Sequence, residues 1–476
     1  MRFIFVSFSQ SVFPEIVAVA DGLKSLGHEI VYWLGSSEPA SYIDDHGQTG
    51  LLTNVFLQTL AQKITLSNDD FGPLADQEPA IIDLLQRMHP TEALPELERR
   101  YHLLLVYCKW LLQTTKPNVI VFRIVPNLPP VHFILYHFAR AKGVKTILFC
   151  DTWVSRRVLA MTDYAAGVPE LQASREQETT TSLADLSTDL QEYYTTHCQD
   201  IKAGVPEYMP NILRNYNFRG RVRASGRTLK KVWDLKLFGK MWRTLWGNMV
   251  FWFRSHLNRE LPRSYRQLVS EPDYSKPFIY FPLHLQPEFS TNPLGGYFRD
   301  QLLALEILAA SLPAGWEIYV KEHPAQWLLV GTRHHPYRPK DYYHTIARLP
   351  AVRLIPTTAD SFKLIRQAMA TATISGTAGW EAILRGKPAL VFGHAWYQAA
   401  PGVFKITDPE SCRAALAQIK QGGRPDQPAV LDFLKRLDEN SFAGCLDLSY
   451  RVNSKYFNLT KTAQAEGILK SILKLL

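Results

Sequence analysis

The sequence predicts an α/β protein built from two doubly wound domains. Three observations carry that prediction. The chain has 476 residues, more than one hydrophobic core organises, so two domains are expected. Short apolar runs alternate with helix-spaced segments in two separate stretches, which is the pattern of βαβ units. In both stretches a glycine (Gly27, Gly143, Gly386) stands just past a helical segment, where a left-handed cap is needed.

The elements follow in order. Phe3–Phe8 is an apolar, aromatic strand and Ser9–Pro14 a polar turn. Glu15–Leu26 is a helix with Ile16, Val19, Leu23 and Leu26 on one stripe, and Ile30–Leu34 is the second strand. The unit recurs with strand Val119–Phe122, helix Val131–Ala141 and strand Thr146–Cys150. Asp151 then falls just beyond a strand's carboxyl end, the side of an open α/β sheet that takes ligands. A second series opens near Lys276: strand Phe278–Pro282, helix Gln301–Leu312, strand Trp316–Val320, strand Val352–Ile355, helix Ser361–Ala368, strand Ala372–Ile374, helix Ala378–Arg385 and strand Ala389–Phe392. Thr462–Leu475 is a closing amphipathic helix. The expected layout is an N-terminal α/β domain at 1–205, a basic linker at 206–270, a C-terminal α/β domain at 271–440, and a tail at 441–476 that packs back on the N-terminal domain.

Residues 206–268 differ in character. Arg214, Arg219, Arg221, Arg223, Arg227, Lys230 and Lys231 open a basic run, and Trp233, Trp242, Trp246 and Trp252 are interleaved further on. Two readings stand open. The segment is a basic, Trp-rich amphipathic surface for an anionic bilayer or a lipid-linked acceptor. Alternatively it is a pair of interdomain helices with aromatic cores and solvated charges. No recognition motif supports nucleic acid.

Composition bounds the rest. The 46% hydrophobic content excludes wholesale disorder, and the +9 formal charge favours anionic partners. Five dispersed cysteines, none in a CxxC pair, point to reduced thiols in a cytosolic setting. The N-terminus lacks the pattern of a signal peptide. No run reaches the ~18–20 apolar residues of a membrane span; the one from Leu103 to Leu112 is broken by Lys109. The expected location is cytoplasmic, peripheral at most at the inner face of the inner membrane.

Three motifs bear chemistry. Ala372–Ala382 reads strand, small-residue turn, helix, so Ser375, Gly376 and Thr377 present N–H groups and hydroxyls at a helix N-terminus, a phosphate-binding arrangement. It is not a Walker A loop. Glu381, in the helix's first turns, reaches a ribose hydroxyl if it faces the crevice. The second motif is Lys321-Glu322-His323-Pro324 directly after a strand. If the strand continues, Lys321 and His323 share a face and can hold a departing phosphate. The third is Phe281–Thr291, where Glu288 is a candidate base or nucleophile and His284 and Gln286 are candidate positioning groups. No Asp-x-Asp occurs, so no metal and no cofactor are expected. His334-His335 sits in a loop rich in Arg and Pro and reads as exposed, not ligating.

Gln286-Pro287, His323-Pro324 and Ser375–Gly393 together resemble the capsule polysaccharide biosynthesis superfamily, which includes bacterial β-Kdo transferases. The resemblance implies a GT-B fold, two Rossmann-like α/β domains facing a central cleft, the one at 1–205 on the acceptor side and the one at 271–440 holding the nucleotide, and a CMP-activated sugar donor. It places Lys321 and His323 on the CMP phosphate, completed by Ser375, Gly376 and Thr377, with Glu381 on the ribose and Gln286 and Glu288 facing the anomeric carbon. Asp151 is an alternative base. The chain departs from the family in having Phe289, Ser290 and Thr291 where acidic residues are usual, and Glu322 where Pro is common. The implied activity is transfer of Kdo or a related ulosonate to a glycan or lipid-linked acceptor in capsule or lipopolysaccharide synthesis. The alternatives are a CDP-polyol phosphotransferase of the teichoic-acid type and a non-catalytic export scaffold.

Overall fold

The computed structural model describes residues 1–8, 13–35, 41–44, 49–172, 181–199, 246, 249, 260–286, 290–329, 338–447 and 460–476. The basic segment, apart from Trp246, Met249 and the residues from Glu260 on, lies outside the described residues, as do Pro287, Glu288, Phe289 and His334-His335. The chain forms two compact units. Unit 1 comprises Met1–Tyr193, Asn292–Gly296 and Pro428–Leu476; unit 2 comprises Tyr194–Thr291 and Tyr297–Gln427.

Unit 1 holds strands β1 (Arg2–Val6), β2 (Glu29–Leu34), β3 (Ser41–Asp44), β4 (Thr49–Leu51), β5 (Val119–Phe122), β6 (Lys145–Asp151) and β7 (Arg157–Met161). A late strand, numbered β14 (Ser441–Ala443), joins the same sheet, in the order β14-β7-β6-β5-β1-β2-β3-β4. The centre β2-β1-β5-β6 is parallel and the flanking pairs are antiparallel. β5, Val-Ile-Val-Phe, is buried throughout, as a parallel strand covered on both faces must be. Asp151 is the last residue of β6, not a residue beyond it. Lys109, which interrupts the apolar run, lies in the long helix Leu94–Thr115 and donates to Asp70 at 2.8 Å. No helix of the described residues is long and apolar enough to cross a membrane.

The chain's end belongs to unit 1. Ala465, Ile468 and Ile472 of the helix Lys461–Lys474 share a core with Ile16, Val19 and Leu23. The helix Gln427–Glu439 is in unit 1 as well, so unit 2 ends at Gln427, not at 440. Polar contacts fix it there: Arg157 Nε donates to Asp438 at 2.7 Å, and Arg436 donates to the Leu171 carbonyl at 2.9 Å.

Unit 2 is a fully parallel sheet of β8 (Phe278–Pro282), β9 (Glu317–Lys321), β10 (Val352–Leu354), β11 (Ala370–Thr373), β12 (Ala389–Val391) and β13 (Val403–Lys405). The spatial order is β10-β9-β8-β11-β12-β13, that is third, second, first, fourth, fifth, sixth. One face packs Ile279, Phe281, Ile318 and Val320 under the helices Glu260–Leu268, Gln301–Ser311, Tyr342–Arg348 and Pro409–Lys420. The other packs Phe278, Tyr280 and Tyr319 under Ser361–Gln367 and Thr377–Leu384. Strand order reverses between β8 and β11, and in such sheets the crevice at the carboxyl ends of the reversing strands is where ligands bind.

Candidate functional site

Three chain segments meet at that reversal. Leaving β8, the His284 imidazole accepts the Ile374 N–H at 3.2 Å through Nε2, which also lies 3.0 Å from Thr373 Oγ1. His284 therefore ties the exit of β8 to the exit of β11. Its ring is buried, and desolvation with the nearby His323 and Arg338 pushes its pKa down to about 3. It is a neutral cross-link, not an acid–base group.

The turn after β11 leads into the helix Thr377–Leu384. Its N-cap is Gly376, which has no side chain with which to cap it. By contrast, Asp300, Asp360 and Asp408 cap the helices starting at Gln301, Ser361 and Pro409. The first-turn N–H groups of an uncapped helix are unsatisfied donors carrying the positive end of the helix dipole. Thr377 is exposed and Ser375, Gly376 and Ala378 are half-buried, so this end is accessible. Ser375 Oγ is engaged, donating to the Ser290 carbonyl. Gly376 needs its missing side chain: a Cβ there would lie 2.7 Å from His284 Cε1 and 3.1 Å from Thr373 Oγ1.

After β9 the chain turns at His323-Pro324. His323 Nδ1 accepts the Ala325 N–H at 3.2 Å. Burial pushes the ring pKa down to about 4; Glu322 opposes the shift, and Arg338 and Lys321 add to it. A neutral ring whose Nδ1 is an acceptor carries its proton on Nε2. His323 is thus a neutral Nε2–H donor, close enough to His284 that protonating either ring disfavours protonating the other.

Other expected ligands have different employment. β9 ends at Lys321, so strand alternation stops before His323. The Lys321 ammonium is buried and donates to the Ala359 carbonyl at 2.6 Å and to Ser361 Oγ at 2.7 Å. Desolvation pushes its pKa down to about 8. Glu381 is buried and paired with Arg385 one turn along its own helix, not open to a ribose. Gln286 uses both ends of its amide inside unit 2: Nε2 donates to the Arg299 carbonyl at 2.9 Å, and Oε1 accepts from Arg338. It is a scaffold group here, and an anomeric carbon is out of its reach while those bonds stand.

Two residues that motif reading missed belong to the site. Lys405 ends β13, in register with Val391 of β12, which is itself in register with Thr373 of β11. Register partners share a face, so Lys405 lies on the face of Thr373. Its ammonium donates to the Gly393 carbonyl, and desolvation alone pushes its pKa down to about 8. A half-buried cation held by a carbonyl, with no carboxylate of the described residues acting on it, favours an anionic ligand. The other is Arg338, which joins the two motif loops.

In unit 1 the strand order reverses between β1 and β5. There Arg123 donates to the Ser7 carbonyl at 3.0 Å and to Leu446 O. Asp151 accepts the Leu446 N–H at 3.1 Å. Burial pushes the Asp151 carboxyl up to about 7, helped by Asp447 and opposed by the Leu446 N–H and Arg123. A carboxyl poised near neutrality at a strand's carboxyl end suits proton transfer. Among the described residues no cluster of three or more His, Cys, Asp or Glu is placed to hold a metal.

Residues 286–422 match the sequence model of the family described as capsule polysaccharide biosynthesis protein. A search of curated proteins returns no match. Among solved structures, a β-Kdo 2,7 transferase, KpsC of Thermosulfurimonas dismutans, aligns over 74% of this chain and 95% of its own at 13% identity, with a TM-score of 0.26. The UDP-GlcNAc 2-epimerase of Methanocaldococcus jannaschii aligns over 91% and 98% at 10% identity, TM-score 0.25. The spinosyn rhamnosyltransferase SpnG aligns over 92% and 96% at 12% identity, TM-score 0.26. At those scores the structural likenesses carry no weight. The family match covers the stretch that bears Gln286, His323 and the Ser375-Gly376-Thr377 turn.

Proposed function

We propose, taking residues 286–422 as a domain of the capsule polysaccharide biosynthesis family, that the chain is a glycosyltransferase with a CMP-activated donor, Kdo or a related ulosonate. The observation that carries the reading is the pairing, at the unit 2 strand reversal, of an uncapped helix N-terminus with a neutral imidazole whose Nδ1 is already occupied. The N–H groups of Thr377 and Ala378 and the His323 Nε2–H would take the donor phosphate. Such donors stabilise negative charge as it grows on a leaving CMP, and they need no reorganisation to do so. Lys405 supplies the nearby positive charge that was expected of Lys321. A monophosphate leaving group held this way needs no metal.

Unit 1 would take the glycan or lipid-linked acceptor. Its Asp151, protonated about half the time near pH 7, is the proposed carboxylate for the acceptor hydroxyl. Glu288, outside the described residues, is the other proposed catalytic carboxylate. The protein would work at the cytoplasmic face of the inner membrane, with the basic segment 206–268 towards anionic lipid.

The test is a calorimetric titration with CMP, CDP, UDP and GDP, followed by mass spectrometry of the product formed from CMP-Kdo. Preferential CMP binding and a product heavier by one ulosonate residue are expected. Binding of UDP or GDP without CMP would overturn the donor assignment. A bridging phosphate in the product would show phosphoryl transfer instead.

A further inference from the structure

The Gln286 and His323 loops belong to different strand exits, yet one side chain holds both. Arg338 is 3% exposed. Its Nη2 donates to the His284 carbonyl at 2.8 Å and its Nη1 to Gln286 Oε1, both after β8. Its Nε donates to Glu322 Oε2 at 3.1 Å and its Nη2 to Glu322 Oε1 at 3.2 Å, after β9. The planar guanidinium fork matches this job; a lysine's point charge cannot bridge so many acceptors in fixed directions.

Glu322 is wholly buried and passes the constraint on. It accepts the Tyr343 hydroxyl at 2.6 Å, and its Oε1 accepts the His323 backbone N–H at 2.7 Å. Its own N–H donates to the Tyr265 hydroxyl at 2.9 Å. Below the loop, Gln286 and Gln326 exchange two hydrogen bonds, 2.8 and 2.9 Å. The result is a buried polar network with His323 at its solvent-side end.

We propose that Arg338 is a positioning residue: paired with Glu322, it pins the exits of β8 and β9 to each other and thereby sets where the His323 Nε2–H points. The proposal rests on the phosphate reading of His323 but can fail separately from it. Arg338 touches no ligand in this scheme, and its effect reaches the site through Glu322 and Gln286.

The charges around His323 supply a readout that mere folding would not. The ring faces Glu322 and Lys321 from its own loop and strand, Arg338 from the segment before the helix Tyr342–Arg348, and His284 from the exit of β8. Arg338 lowers the ring pKa and Glu322 raises it. In Arg338→Met the lowering charge is gone and Glu322 is uncompensated, so the His323 pKa must rise from about 4 towards the ordinary range. In the double variant Arg338→Met/Glu322→Gln both charges are gone, so the pKa stays low while the clamp is still lost. Arg338→Lys keeps the charge and loses the fork.

The experiment follows the His323 Cε1–H by NMR as pH is lowered, on full-length protein with labelled histidine, alongside CMP titrations and melting curves. His323→Ala identifies the resonance. The expected pattern has three parts. Arg338→Met shows a His323 pKa higher by a unit or more. The double variant shows none of that rise, and it covers the case in which Arg338→Met does not fold. Arg338→Lys and the double variant, still cooperative on melting, bind CMP at least tenfold more weakly than wild type. Folded Arg338 variants with wild-type CMP affinity and an unmoved His323 titration would overturn the proposal. The NMR titration needs no nucleotide. If the wild type binds no CMP, the donor reading falls, and the Arg338–His323 coupling is still decided by the titration.

Discussion

Replacing His323 by alanine removes one neutral Nε2–H donor from the proposed phosphate site and leaves the buried Arg338–Glu322 pair intact. A hydrogen bond from a neutral donor to a charged acceptor contributes about 1.5–3 kcal/mol, so CMP should bind about 10- to 150-fold more weakly. The geometry adds a finer test. The Nδ1 side of the ring is turned to the Ala325 N–H, so the useful proton is on the far nitrogen. A glutamine amide nitrogen sits near where Nε2 was, whereas an asparagine's sits near Nδ1. His323→Gln should therefore recover most of the affinity and His323→Asn little of it. The ring stays neutral down to about pH 4, so the ratio of wild-type to His323→Ala affinity should be flat between pH 5.5 and 8; titration of the phosphate is common to both proteins and cancels. Isothermal calorimetry across that range measures the ratio. A ratio below threefold would remove His323 from the site, and one that climbs as pH falls through 6.5 would show an imidazolium.

Four further outcomes are expected. Gly376→Ala forces a Cβ to 2.7 Å from a cross-linked His284 ring; it should cost about 1–3 kcal/mol of stability and weaken CMP binding, and a wild-type melting curve would contradict this. Lys405→Met should weaken CMP binding about tenfold with no loss in melting temperature, since an ammonium held by the Gly393 carbonyl is exchanged for an apolar chain; unchanged affinity would exclude Lys405. Asp151→Asn should reduce transfer by about a hundredfold or more while leaving CMP binding intact. Because burial raises the folded pKa of Asp151 to about 7, its charge opposes folding increasingly as pH rises from about 4 to 7, so the asparagine variant should be the more stable one at pH 8. Finally, burial depresses the folded pKa values of His132 and His284 to about 3 and of His323 to about 4. The unfolded chain therefore takes up protons first as pH falls below about 6.5, and stability declines from there towards pH 4. Urea midpoints of the Asp151→Asn variant, which lacks the carboxyl whose titration acts in the opposite sense, should differ accordingly between pH 7.5 and 5, and equal midpoints there would refute the neutral-histidine assignment.

How far the sequence discloses this protein depends on how local each interaction is. β5 and β8 are short runs of buried residues, and their apolar character alone marks them. β13, Val-Phe-Lys, is half-exposed along its length, and β14 carries a polar start and an exposed end. Neither has a periodicity to betray it; each exists because a neighbouring strand offers an edge. The carboxyl-edge placement of the His323 and Ser375–Thr377 motifs was readable for the same local reason, since a strand followed by a turn and a helix has only one side on which to present the turn. The pairing of Glu381 with Arg385 was also readable, because residues four apart on a helix are neighbours, and it removes Glu381 from the ribose.

Side-chain employment across long sequence distances was not readable. Gln286 looks like a catalytic amide until Arg338, 52 residues on, takes its oxygen. Lys321 looks like a phosphate ligand until the turn at Ala359–Ser361, 38 and 40 residues on, takes its ammonium. Glu322 stands where the resembling family tends to have proline. A buried carboxylate without a partner would be strongly destabilising, so a glutamate at that position requires a cation from somewhere in the fold. Arg338 meets that requirement, and the same bonds carry the constraint to both motif loops. On this view Glu322 and Arg338 are a single unit, which makes the double variant the proper comparison for either single one: if the two substitutions prove additive in CMP affinity and in stability, they do not act as one clamp.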